Sequence, residues 1–202
     1  MRNFLSVDSL LYKVCTFLYN FVVLNLLWLF FSIPFITIGS STTALFYVTD
    51  KIIKNKGESS LLKSFWHSFK INFKTANIAW IIILLIYTVI INNIRNIHLI
   101  GEIAKYIIFI QIGILIELII ITIYIFPLIA KYHIKVRDAF KAAFFISNQH
   151  LFTSILCLAI IPFIYYLLIW KEFFILFIIS IYSYGVSYLL KDKLIKYANT
   201  NK

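Results

Sequence analysis

Long stretches without a single charged side chain constrain this chain more than any other feature. Val14 to Ile36, Ala76 to Ile94 and Phe173 to Leu190 each run uncharged for about 18 residues or more, roughly what one helix needs to cross a bilayer core. The chain has 202 residues, of which 62% are hydrophobic and 13% charged, against about 45–50% apolar content in ordinary soluble domains. A β-barrel would alternate apolar and polar positions in segments of about ten residues, whereas these runs are apolar on every face. The expectation is an all-α polytopic membrane bundle forming a single integral membrane domain over residues 1–202.

The net charge of +11 would suggest nucleic acid in a soluble protein. Here the basic residues gather between the apolar runs, so a topology signal explains them first and no nucleic-acid partner is expected. Lysine and arginine crowd residues 51–74, 131–141 and 191–202, while the intervening connections carry fewer. The positive-inside rule makes the three rich segments cytoplasmic and predicts spans near 76–94, 104–130, 149–169 and 172–190, with a cytoplasmic tail at 191–202.

Residues 14–53 admit two readings. Val14 to Ile36 crosses once, for five spans, or the chain turns at Ser32-Ile33-Pro34 and returns through residues 35–53, for about six. The second places Arg2 and Lys13 in the cytoplasm and is preferred. Arg2 and Lys13 ahead of an apolar run also outline a signal peptide, and Thr37-Ile38-Gly39 imitates a small-residue cleavage site. Asn25, Trp28 and Pro34 interrupt that pattern and no A-x-A site follows, so the segment is expected to remain as the first span. Pro34 removes a backbone donor, and Gly39 with the hydroxyls of Thr37, Ser40, Ser41, Thr42 and Thr43 offers local partners and close-packing surface. This suits a broken hairpin, read either as a packing seam of small residues or as a polar binding spot on unwound backbone.

Two connections read as amphipathic surface helices, 59–75 and 134–147. In the first, Leu62, Phe65, Phe69 and Phe73 oppose Lys63, His67, Lys70 and Lys74. In the second, Val136, Phe140 and Phe144 oppose Arg137 and Lys141. Lys63, Lys70, Lys74, Arg137 and Lys141 are the candidate contacts with anionic lipid or a soluble domain. Aligning the two segments pairs Phe65 with Phe140 and Phe69 with Phe144, a weak duplication on which no function rests.

No phosphate loop, HExxH or pair of carboxylates at catalytic spacing occurs. The four histidines are scattered, and Cys15 and Cys157 lack metal spacing. A non-enzymatic protein without cofactor or metal is expected. Glu117 stands out, because a carboxylate inside a span costs several kcal/mol and must face protein or water. Helical spacing places Gly113, Glu117 and Tyr124 on one stripe, with Lys131 at its end, and Asn25, Trp28 and Ser32 on a stripe of the first span. Two such stripes would satisfy one another, line a transport path, or receive a partner helix.

Asn25, Trp28, Pro34, Thr37, Gly39, Ala44 and Leu45 together form N-x-x-W followed by P-x-x-T-x-G-x-x-x-x-A-L. This arrangement resembles the YesL-like family of bacterial membrane proteins, a domain of unknown function. The likeness continues through Phe65–Phe73, Phe126-Pro127-Leu128 and the RDAFKAA segment. It implies a place in the bacterial cytoplasmic membrane beside carbohydrate ABC import systems, as an accessory component. A small standalone transporter using the broken hairpin and Glu117, or a regulatory component of a sugar-sensing pathway reporting through a membrane sensor, is the alternative. The resemblance supplies no catalytic residue, and the oligomeric state stays open. An importer permease would carry E-A-A-x-x-x-G, of which Asp138-Ala139 and Ala142-Ala143 give only an echo.

Overall fold

A computed structural model describes residues 10–54, 60–96, 104–170 and 177–200, and within them the chain is helical apart from short turns and connections. The helices are α1 (Leu10–Phe31), α2 (Ile38–Ile53), α3 (Leu61–Arg95), α4 (Ala104–Tyr132), α5 (Val136–Gln149), α6 (Leu151–Trp170) and α7 (Ile178–Thr200), with a 3-10 turn at Phe35–Thr37 between α1 and α2. Three helices among the described residues are long and apolar enough to cross a membrane. A fourth span results if α5 and α6, bent by 99° at their junction, are taken together. Among the described residues the expected six spans are therefore not confirmed. α2 is only 16 residues long, about 24 Å, and the first residues of the segment expected at 172–190 lie outside the described ones.

Residues 59–75 are expected from the sequence as a surface helix ahead of a separate span. Instead α3 runs unbroken for 35 residues from Leu61 to Arg95. No glycine or proline interrupts it, and the Ser60 side chain caps its start by accepting from the Lys63 amide. At about 1.5 Å per residue it is roughly 50 Å long, well beyond a hydrocarbon core of about 30 Å. Its lysine-bearing first turns are thus a continuation of the span that outreaches the hydrocarbon. Phe65 and Phe69 do not face lipid either: both are buried, against Phe31 of α1.

α5 corrects the reading of 134–147 in a similar way. It buries Ala139, Ala142, Ala143 and Ile146, while Phe144 and Phe145 stay exposed. The small face lets α5 approach α4 closely, as membrane helices do when no hydrophobic force draws them together. α4 is followed by His133, which takes the left-handed conformation at φ 49°. The His133 ring nitrogen Nδ1 lies 2.8 Å from the Asn72 amide oxygen of α3, tying the exit of α4 to that long helix. α7 continues as helix through most of the expected tail, to Thr200.

The core sits where α3, α4, α5 and α7 meet, around Tyr124, Leu128, Ile129, Ile83, Val186 and Leu190. A second cluster joins Leu24 of α1 to Leu45 and Val48 of α2 and Phe65 of α3. Much of the exterior is apolar, with Phe30, Phe35, Phe109, Phe152 and Phe163 all exposed. Lipid, not water, is the solvent that such a surface fits.

Candidate functional site

The break between α1 and α2 is built from the residues that mark it in the sequence. α1 closes as the Ser32 amide donates to Trp28 O, and the Thr37 amide reaches back to Pro34 O at 2.8 Å. The Thr37 hydroxyl stands 2.6 Å from Phe31 O and 2.7 Å from Pro34 O and donates to one of them. Across the hairpin, Trp28 Nε1 donates to Thr42 Oγ1 at 3.1 Å. Gly39 packs directly on the α3 backbone at Ala76.

Helix starts leave amides without intrahelical partners, and in a bilayer no water relieves them. Here side chains from other helices do. Asn77 Oδ1 of α3 accepts from the Ser40 amide at 2.9 Å, and Trp80 Nε1 donates to Phe35 O at 3.1 Å. Asn25 is fully buried in α1, and its Oδ1 accepts from the Ile179 amide at the start of α7 at 3.2 Å. Ser180 donates to Phe21 O, and Thr49 meets Ser183 at 3.0 Å. The hairpin is thus held by side chains from other helices: Asn77 caps the start of α2, Trp80 donates to a turn carbonyl, and Asn25 in return caps the start of α7. Sequence reasoning does not single out Asn77, Trp80 or Ser183. The segment of Asn77 and Trp80 carries no proline or hydroxyl string to flag them.

The two expected polar stripes do not satisfy one another. Glu117 Oε1 accepts from Asn148 Nδ2 of α5 at 2.9 Å, and Asn148 is exposed. Tyr124, fully buried, meets Ser154 of α6 at 2.9 Å, and Ser154 also reaches Ser147 O. Gly113 faces open space. The α4 stripe is thus met by α5 and α6, and Asn25 and Trp28 by α7 and α2. Ser32 Oγ is buried without a partner.

Of the candidate surface contacts, Lys63, Lys70 and Lys74 are exposed along α3, with Lys70 Nζ 4.9 Å from the centre of the Trp66 ring. Arg137 and Lys141 are exposed on α5. A cavity of about 150 Å³ opens elsewhere, between the ends of α2 and α4 and the middle of α7. Asp50, Lys54, Lys131, Ser187 and Lys191 are in its lining. In the sequence Lys54 and Lys191 read only as topology markers, and Lys131 also as the end of the Glu117 stripe. Among the described residues no three metal-ligating side chains gather.

Residues 21–94, which hold the hairpin and most of α3, match the family described as "Protein of unknown function, DUF624". The chain is 28% identical over 179 residues to the uncharacterized protein YteU of Bacillus subtilis (strain 168), covering 85% of this chain and 79% of that relative. It is 22% identical over 145 residues to the uncharacterized protein YesL of the same organism, covering 70% of this chain and 68% of YesL. No solved structure matches it. The likeness to YesL-like proteins read from the hairpin motif is borne out.

Proposed function

We propose that this YesL-like chain is a non-enzymatic protein of the bacterial cytoplasmic membrane, an accessory component that packs against the subunits of a carbohydrate ABC importer. The observation that carries the packing role is the contrast between its two polar sites. The hairpin groups turn inward, with Ser40 capped by Asn77 and Asn25 capping the start of α7, so they are occupied in holding the fold. The Glu117–Asn148 pair sits at the bundle's outer surface, where Asn148 is exposed. An ionisable group kept at such a place in an apolar exterior suits a polar contact with another membrane helix.

The carbohydrate part of this reading rests on the resemblance. Cytoplasmic placement of the C-terminus rests on the lysines that follow the last apolar run. A standalone transporter would need the broken hairpin and Glu117 to act as one site, whereas Glu117 bonds to α5 and the hairpin groups to α2, α3 and α7.

Affinity purification of the tagged protein from its native membrane in mild detergent, followed by mass spectrometry, tests the proposal. Recovery of a sugar-importer permease and its ATPase in stoichiometric amounts is the expected result. Recovery of the chain alone, or of its own oligomer, overturns it.

A further inference from the structure

The cavity between α2, α4 and α7 differs from both polar sites in its charge. Lys54 closes the end of α2, Lys131 lies in the last turn of α4, and Lys191 comes from α7. The carboxylate in the lining is Asp50, which pairs with Lys54 one helical turn away. Three lysines against one aspartate leave an excess of two positive charges in the lining. Asp192 on α7 is exposed and outside the lining, and its charge acts on Lys131 from there. Among the described residues, no carboxylate stands at salt-bridge distance from either remaining lysine. Lys131 Nζ reaches Lys191 O at 3.4 Å and lies 5.5 Å from the centre of the Tyr132 ring, and Lys191 Nζ lies 4.8 Å from the centre of the Tyr188 ring.

These ring and carbonyl contacts hold the two ammonium groups in place without removing their charge. Lysine acts as a compact point charge with three donors, and three such groups from three helices suit an anion with several oxygens better than a two-oxygen carboxylate. The Ser187 hydroxyl adds a further polar group to the lining. A cavity of about 150 Å³ is of the size that admits a benzene-sized guest, which leaves room for a tetrahedral anion. By the distribution of lysines this end of the bundle is the cytoplasmic one, where basic pockets between membrane helices meet lipid headgroups.

We propose that the cavity is a phosphate-binding site in which Lys54, Lys131 and Lys191 hold one phosphate group, carried either by an anionic lipid headgroup or by a free soluble phosphate. The site is independent of the importer reading and stands or falls separately.

The full chain purified in neutral detergent is offered phosphatidylglycerol and examined by native mass spectrometry. In a parallel arm it is offered radiolabelled orthophosphate in equilibrium dialysis. Lys131→Gln and Lys191→Gln are each expected to weaken retention about fivefold, as the loss of one lysine near an anionic lipid surface does. Asp50→Asn, which removes the competing carboxylate, is expected to strengthen it. A Lys13→Gln/Lys135→Gln control, at exposed positions outside the lining, leaves it unchanged. Phosphatidylglycerol retained with this pattern identifies the lipid source, and orthophosphate bound with it identifies the soluble one. Binding of neither probe, or a loss shared equally by the control, overturns the proposal. If the lysine variants do not fold, Asp50→Asn decides, because unchanged or weaker binding there also overturns it.

Discussion

A Cβ placed on Gly39 would stand 2.3 Å from the backbone oxygen of Ala76 and 2.9 Å from Trp80 Cβ. Alanine at a helical glycine normally gains about 0.5–1 kcal/mol. Here the obstacle is the backbone of a neighbouring helix, which cannot rotate aside as a side chain can, so the clash decides the sign. Gly39→Ala is expected to destabilise the fold by about 1–3 kcal/mol or more, read as a lowered midpoint of unfolding in detergent. Gly113, where an added Cβ would meet nothing within 4 Å, is the matched control: Gly113→Ala is expected to be neutral or stabilising by up to about 1 kcal/mol.

Trp28 and Thr42 form the hydrogen bond that joins the two arms of the hairpin. Side-chain hydrogen bonds between membrane helices average about 0.6 kcal/mol in double-mutant cycles and reach about 1.7. The cycle of Trp28→Phe and Thr42→Val is expected to show a coupling energy in that range. Zero coupling would mean that the arms are held by packing alone, with the cluster of Leu24, Leu45 and Val48 as the contacts to examine next.

The hairpin was legible in the sequence because its signals are local: a proline that cannot donate, then hydroxyls within reach of the carbonyls left free. The unbroken course of α3 was legible too, in the absence of glycine and proline from Leu61 to Arg95, but the change from basic to apolar composition drew the boundary instead. Composition changes where a helix leaves the hydrocarbon, and the backbone need not. What no local pattern carries is the capping of one helix by another. Asn25 and Ile179, or Ser40 and Asn77, are brought together only by tertiary packing. The same holds for Lys54, Lys131 and Lys191, each of which reads alone as a topology marker.

Glu117→Gln keeps an oxygen able to accept from Asn148 Nδ2 while removing the charge. Stability is expected to change by no more than about 0.5 kcal/mol, as for most substitutions away from the core. If Glu117 contacts a partner helix, recovery of the importer subunits by affinity purification falls at least about tenfold, since truncating a charge paired across an interface costs a few kcal/mol. Unchanged recovery from a stably folded variant would restrict Glu117 to bracing α4 against α5.

The hairpin also predicts which side of the membrane the start of α1 shares. With the chain turning back after Phe31 and Trp28 bonded to Thr42, the start of α1 and the start of α3 lie at the same end. Cys15 is exposed and Cys157 buried, so both are first replaced to give a cysteine-free background. Lys13→Cys and Ser60→Cys, at exposed positions, are then expected to react with a membrane-impermeant maleimide only after the membrane is permeabilised. Labelling of Lys13→Cys in intact cells with Ser60→Cys still protected would mean that α1 crosses alone. α2 would then enter from the far side of a complete span, and the hydroxyls of residues 37–43 would begin a buried helix in place of turning a hairpin.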